Sequence, residues 1–115
     1  MDLAQEKCAA CSSATEKMSP EEARRMLDET PGWELKDDEI ERTLKFANFV
    51  DAMRLANRIA QLAEEENHHP DLHISYGKMH IELATHKING LSRNDFIMAA
   101  RINKLVDEKP EPQGI

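Results

Sequence analysis

The chain has 115 residues, 40% of them hydrophobic and 32% charged, with a formal net charge of −7. That length suits one domain whose modest core needs no staples, and the acidic balance argues against a nucleic-acid partner, because phosphate contacts need clustered Lys and Arg. No apolar run is long enough to span a bilayer, the N-terminus lacks the basic and apolar regions of a signal peptide, and the two cysteines are too few for a disulfide scaffold, so a reducing, cytoplasmic setting is expected.

Residues 1–18 are rich in Ala, Ser, Glu and Lys with little periodicity, and are expected to form a flexible N-terminal segment. Cys8-Ala9-Ala10-Cys11 is a lone C-x-x-C. No second pair exists to complete four thiolates, and neither the strand nor the helix of a redox motif flanks it. The plain reading is two small residues that can pair reversibly; a metal site completed by distant histidines is the lesser alternative. Ser19-Pro20-Glu21-Glu22 combines an N-cap Ser, Pro at the first helical position and Glu where a capping box wants it. A short helix to about Glu29 follows, burying Ala23, Met26 and Leu27, and Thr30-Pro31-Gly32 stops it.

Trp33–Lys36 and Ile40–Phe46 alternate apolar and polar residues around Asp37-Asp38, which predicts a β-hairpin with Trp33 in the core. Asn48 caps the next helix, which runs to Asn67. Phe49, Met53, Ala56, Ala60 and Ala63 form its stripe, widened by Ala52, Leu55, Ile59 and Leu62. So broad an alanine-rich arc can cover a sheet and still meet a partner helix, which predicts a homodimer or homotetramer; packing on its own sheet alone is the competing reading. After Pro70, Leu72, Ile74 and Tyr76, then Met79, Ile81, Leu83 and Thr85, alternate around Gly77-Lys78 as a second hairpin. Its other face would carry His73, His80, Glu82 and His86, with His73 and His80 read as part of a solvated surface. Ser92 caps the last helix, with Asp95 at its third position and Met98, Ala99, Ile102, Leu105 and Val106 buried. Residues 109–115 are expected to be a disordered tail. The order α-β-β-α-β-β-α over 19–108 is that of a single α+β domain, one antiparallel sheet with helices packed on one face.

The densest chemistry lies in Glu64-Glu65-Glu66-Asn67-His68-His69-Pro70. Pro70 disfavours the α region for His69, so the two imidazoles sit where a helix ends and its dipole favours imidazolium. Glu64 stands four residues before His68, a spacing that puts both on one helix face and predicts that the carboxylate orients that ring. No metal is expected here, since H-H-P lacks the H-x-x-x-H spacing that aligns two imidazoles on a helix. No Ser or Cys shows a nucleophile elbow or a paired base. Metal-free acid–base catalysis by imidazoles fits best, although spacing alone does not select it.

Glu64-x-x-x-His68-His69-Pro70, the aromatic Tyr76, His86, and Asp95 after Gly90-Leu91-Ser92 together closely resemble the pterin-4a-carbinolamine dehydratase family, over roughly residues 64–95. The order of elements from Ser19 to Val106 agrees with that family's fold. The resemblance implies a four-stranded antiparallel sheet with three helices in a dimer or tetramer. The implied substrate is a 4a-hydroxytetrahydropterin, dehydrated to the quinonoid dihydropterin without bound metal or cofactor. It also implies that His68, His69 and His86 are the catalytic and substrate-binding residues. In this reading His69 and His86 transfer protons, His68 binds and polarises the substrate, and Glu64 and Asp95 support the site. The chain departs from vertebrate members at Leu72 and His73, where those carry an aromatic residue. Other readings are a non-enzymatic module that associates through the 48–67 helix, a pterin protein of molybdopterin metabolism, and a zinc protein.

Overall fold

Three side chains start the three helices. In the computed structural model, which describes residues 3–9 and 16–108, Ser19 Oγ accepts the Glu22 N–H ahead of α1 (Pro20–Leu27). Asn48 Oδ1 accepts the Asp51 N–H at 2.8 Å ahead of α2 (Phe49–Glu66), and Ser92 forms a reciprocal capping box with Asp95 at the start of α3 (Arg93–Asp107). Each cap satisfies an amide that the first helical turn leaves without a partner. Between them lie β1 (Glu34–Lys36), β2 (Glu39–Lys45), β3 (Asp71–Ser75) and β4 (Lys78–Leu83). They form one antiparallel sheet in the order β1-β2-β4-β3. The expected α+β architecture and element order are those observed.

The strand period of two divides the sheet. Ile40, Leu44, Met79, Ile81 and Leu83 point towards the helices and are buried with Ile59, Phe96, Met98 and Ile102. Glu41, Thr43, His80, Glu82 and His73 point the other way, in the cross-strand pairs Glu41–Glu82, Thr43–His80 and His73–His80. Arg42, opposite Ile81, is a cation on the helix side. It is satisfied by Asn103 of α3, whose Oδ1 accepts from both the Arg42 guanidinium and Trp33 Nε1 (2.8 Å) while its Nδ2 donates to the Pro31 carbonyl at 2.9 Å. Gly32 (φ 91°) lies under this arginine, and a Cβ there would stand 2.9 Å from Arg42 Nε.

Three regions differ from expectation. First, β4 stops at Leu83 instead of running on through His86. Thr85 makes an isolated bridge to Gly90, and His86–Ile88 form one 3₁₀ turn closed by Asn89 in the left-handed region. The Thr85 hydroxyl bonds to the buried Asp95, which draws the chain off the ladder, so His86 does not share the sheet face of His73 and His80. Second, α2 buries Ala52, Leu55, Ala56, Ile59, Leu62 and Ala63, but Phe49 and Ala60 of the expected arc stay exposed, Phe49 at 45% beside an equally open Val50 at 57%. Third, residues 3–9, read from sequence as part of a flexible segment, lie against α3: Leu3 is buried and the Glu6 carboxylate takes two hydrogen bonds from Arg93. Cys11 and the 109–115 tail fall outside the described residues. Among those described, no helix is long and apolar enough to cross a membrane.

Asn103→Ala leaves the Trp33 indole N–H, the Arg42 guanidinium and the Pro31 carbonyl without their shared partner. We expect a loss of about 1–3 kcal/mol in urea unfolding, with a red shift in the native fluorescence of the sole tryptophan.

Candidate active site

The left-handed conformation of Asn67 (φ 52°) ends α2 and takes the following residues out of helical phase. His68 then turns to α3 and His69 turns back along α2. His68 Nε2 lies 2.7 Å from Asp95 Oδ1, and His69 Nε2 lies 2.5 Å from Glu64 Oε2. Glu64 was expected to orient His68, on the assumption that the helix continued through that position. The structure gives it to His69 instead, and gives His68 to Asp95.

Asp95 is fully buried. Its Oδ1 takes His68, and its Oδ2 takes the Thr85 hydroxyl at 2.8 Å and the Ser92 N–H at 3.0 Å. A carboxylate only accepts, so Thr85 donates to it, and the 2.7 Å contact between the Thr85 and Ser92 hydroxyls has Ser92 as donor. By the same rule His68 presents Nε2–H to Asp95, which leaves Nδ1 for a ligand. The His68 side chain is 11% exposed and that of His69 53%. One imidazole is therefore recessed and clamped, while the other stands at the rim.

A cleft of about 550 Å³ opens over these residues. His68 and His69 line one side and the Thr85–Lys87 turn, with the exposed His86, lines another. The structure thus brings the three predicted histidines to one cavity, with Asp95 beneath His68 and Glu64 behind His69. A larger hollow of about 650 Å³ lies around Arg42 and Asn103, but its described walls hold no histidine or cysteine. His73 and His80 lie elsewhere, on the sheet face away from the helices. His73 holds the Glu82 carboxyl below its usual range through a hydrogen bond, while burial and then a hydrogen bond to Glu82 push Glu39 up.

The cleft has a wall that the sequence did not suggest. Cys8 and Ala9 line it beside Glu66 and Asn94. The Cys8 N–H donates to Glu66 Oε1 at 2.7 Å, and Ala9 exchanges two hydrogen bonds with the Asn94 side chain, at 2.9 and 2.6 Å. Glu66, 8% exposed at its side chain, also pairs with Arg101 at 2.9 Å. The Cys8 N–H and then the Arg101 charge hold its carboxyl below the usual range against the opposing effect of burial. Neither contact leaves a sequence signal, because both bridge distant parts of the chain. Thr85 read as one more strand residue, and Asp95 as a cap and a supporting residue with no ring assigned to it.

Residues 16–105 match the family model described as pterin 4 alpha carbinolamine dehydratase. A protein of Methylococcus capsulatus, under the provisional name pterin-4-alpha-carbinolamine dehydratase, is 43% identical over 92% of this chain and 95% of its own. One from Alkaliphilus metalliredigens with the same provisional name is 44% identical over 93% and 98%. The crystal structure of a transcriptional coactivator/pterin dehydratase from Brucella melitensis superposes with a TM-score of 0.75 at 30% identity, covering 78% of this chain and 98% of that one. A pterin dehydratase-like protein described as a RuBisCO assembly factor of the alpha-carboxysome shares the fold, with a TM-score of 0.56 at 19% identity over 67% and 89%.

The depressed Glu66 carboxyl gives a signed pH prediction. Its stabilisation is complete above the unfolded glutamate value of about 4.3 and is lost as the pH falls through the lower folded value. Glu66→Gln should lower the melting temperature at pH 7, and the gap to wild type should close towards pH 3 in calorimetry.

Proposed function

This chain belongs to the pterin-4a-carbinolamine dehydratase family, and we propose that it dehydrates a 4a-hydroxytetrahydropterin to the quinonoid dihydropterin by imidazole acid–base catalysis, supporting pterin recycling. The observation that carries this reading is the convergence of His68, His69 and His86 on one cleft, with a carboxylate bonded to each of the first two.

The reaction needs one proton delivered and one removed. A proton placed on the C4a hydroxyl lets the C–O bond break and water leave. Loss of the N5 proton leaves its electron pair to form the C4a=N5 double bond, so charge balances. His69 and His86, the exposed members, are the proton carriers, and either can act as acid or base near neutral pH. His68, held by Asp95, binds and polarises the substrate through Nδ1. Asp95 and Glu64 are positioning residues, acting through His68 and His69. The chemistry runs on imidazoles alone in this proposal, each worth on the order of 10²–10⁴ in rate.

A cytoplasmic homodimer or homotetramer belongs to the same reading, and the exposed Phe49 and Val50 at the start of α2 support it. Those side chains also favour a second reading, in which the chain serves as an association module; the Brucella relative is described as a transcriptional coactivator as well as a pterin dehydratase.

The decisive assay follows quinonoid dihydropterin formation from freshly generated 4a-hydroxytetrahydropterin in the presence of chelator. His69→Ala should lower the rate about 10²–10⁴-fold. Wild type running no faster than the uncatalysed background would sink the enzymatic reading and leave α2 as the functional surface. Asp95→Asn tests the His68 clamp separately. Its amide can keep the Ser92 N–H bond but would present N–H to His68 Nε2, which swaps the tautomer. We expect a fall in kcat of at least about 10²-fold in a protein that still folds by circular dichroism.

A further inference from the structure

The geometry points to a divalent transition-metal site, of the zinc class, on the helix-free face of the sheet, with Glu41, His80 and Glu82 as ligands. These residues come from the central strands β2 and β4, where Glu41 faces Glu82 directly and His80 sits two residues before Glu82 on the same face. One donor atom from each lies within 4.8 Å of the other two. His80 Nε2 is 3.1 Å from Glu41 Oε2 and 3.8 Å from Glu82 Oε2. Tetrahedral donors at about 2.0–2.1 Å from zinc stand about 3.3 Å apart, so an ion fits with only small side-chain movements. One nitrogen and two carboxylates are a donor set that zinc accepts, with a fourth position open to water.

Hydrogen bonds around the three residues support that assignment. Thr43, the cross-strand partner of His80, has its hydroxyl 2.8 Å from His80 Nδ1. In this structure His80 Nε2–H donates to the Glu41 carboxylate and Nδ1 accepts from the Thr43 hydroxyl. An ion would take the place of the Nε2 proton, with Thr43 then accepting from Nδ1–H and holding the tautomer that a metal requires. His73 Nε2 lies 2.8 Å from the other oxygen of Glu82, which fixes that carboxylate with Oε2 towards His80. These are the outer contacts that orient a metal's ligands. The patch is also rich in negative charge. Asp71 stands opposite Glu82 on β3 and adds to the charge of Glu41 and Glu82. Among the described residues the nearest lysine contact is Lys36 Nζ, 3.9 Å from Glu41. The side chains of Glu41, His80 and Glu82 are 17%, 28% and 21% exposed, so they are screened by water less than an ordinary surface cluster. The sequence reading of His73 and His80 as part of a solvated face did not pair them with carboxylates from neighbouring strands.

The test is calorimetric titration of chelator-stripped, tag-free, full-length protein with zinc chloride, with cobalt(II) absorption as a second readout. One ion per chain is expected, with cobalt giving the intense visible bands of a four-coordinate site. His80→Gln and Glu82→Gln should each weaken binding at least about 100-fold, and Thr43→Val about 10–100-fold. His69→Ala and the Cys8→Ser/Cys11→Ser double variant should bind as wild type does, and His80→Gln should keep its circular dichroism and its dehydration rate. Absence of binding by wild type would overturn the proposal. So would zinc retained by both His80→Gln and Glu82→Gln, or zinc lost with His69 or the cysteines.

Discussion

The carboxylate of Asp95 is the constraint on which the rest of the site depends. A charge taken wholly out of water costs several kcal/mol, on the order of what a small domain has in total, unless hydrogen bonds replace its hydration. Asp95 obtains three, from the Ser92 amide, the Thr85 hydroxyl and the His68 ring. Each donor comes from a different piece of chain: the start of α3, the turn after β4, and the end of α2. Satisfying one buried anion therefore fixes how those three pieces meet, and they supply most of the cleft. Among the described residues no buried side-chain polar atom lacks a partner. The domain thus presents three imidazoles without leaving polar groups stranded behind them.

The second organising feature is the two-sidedness of the sheet. Its inner face, built on Ile40, Leu44, Met79, Ile81 and Leu83, seats α2 and α3, and so sets where the end of one helix and the start of the other converge. Its outer face needs no apolar side chains and carries charged and imidazole groups in cross-strand register. The two histidine clusters thus occupy different sides of one layer. The cleft histidines are displayed by a helix end and a turn, whereas His73 and His80 are held by strand geometry. A substitution on the open face can change the outer cluster without disturbing the packing that supports the cleft.

Docking of residues 3–9 adds a further dependency. Cys8 and Ala9 line the cleft only because Glu66 and Asn94 accept and donate to their backbone. Glu66 is in turn held by Arg101, one helix across. The wall is therefore tied to α2 and α3 at once, and it inherits their stability rather than supplying its own.

The sequence by itself determined the α+β class, the order of elements, the helix starts at Ser19, Asn48 and Ser92, and the pairing of His68 and His69 at a helix end. These follow from local rules: period, capping chemistry and the effect of Pro70 on the residue before it. It also singled out His86, Glu64 and Asp95, through spaced positions that resemble a family. Tertiary structure decided which carboxylate serves which ring. The left-handed turn at Asn67 cancels the helical spacing that linked Glu64 to His68, and the partner of His68 lies 27 residues away. The fold likewise ended β4 before His86 and laid Cys8 over the cleft. It also set His80 between carboxylates of β2 and β4. All of these depend on contacts between segments distant in the chain, which no period or cap encodes.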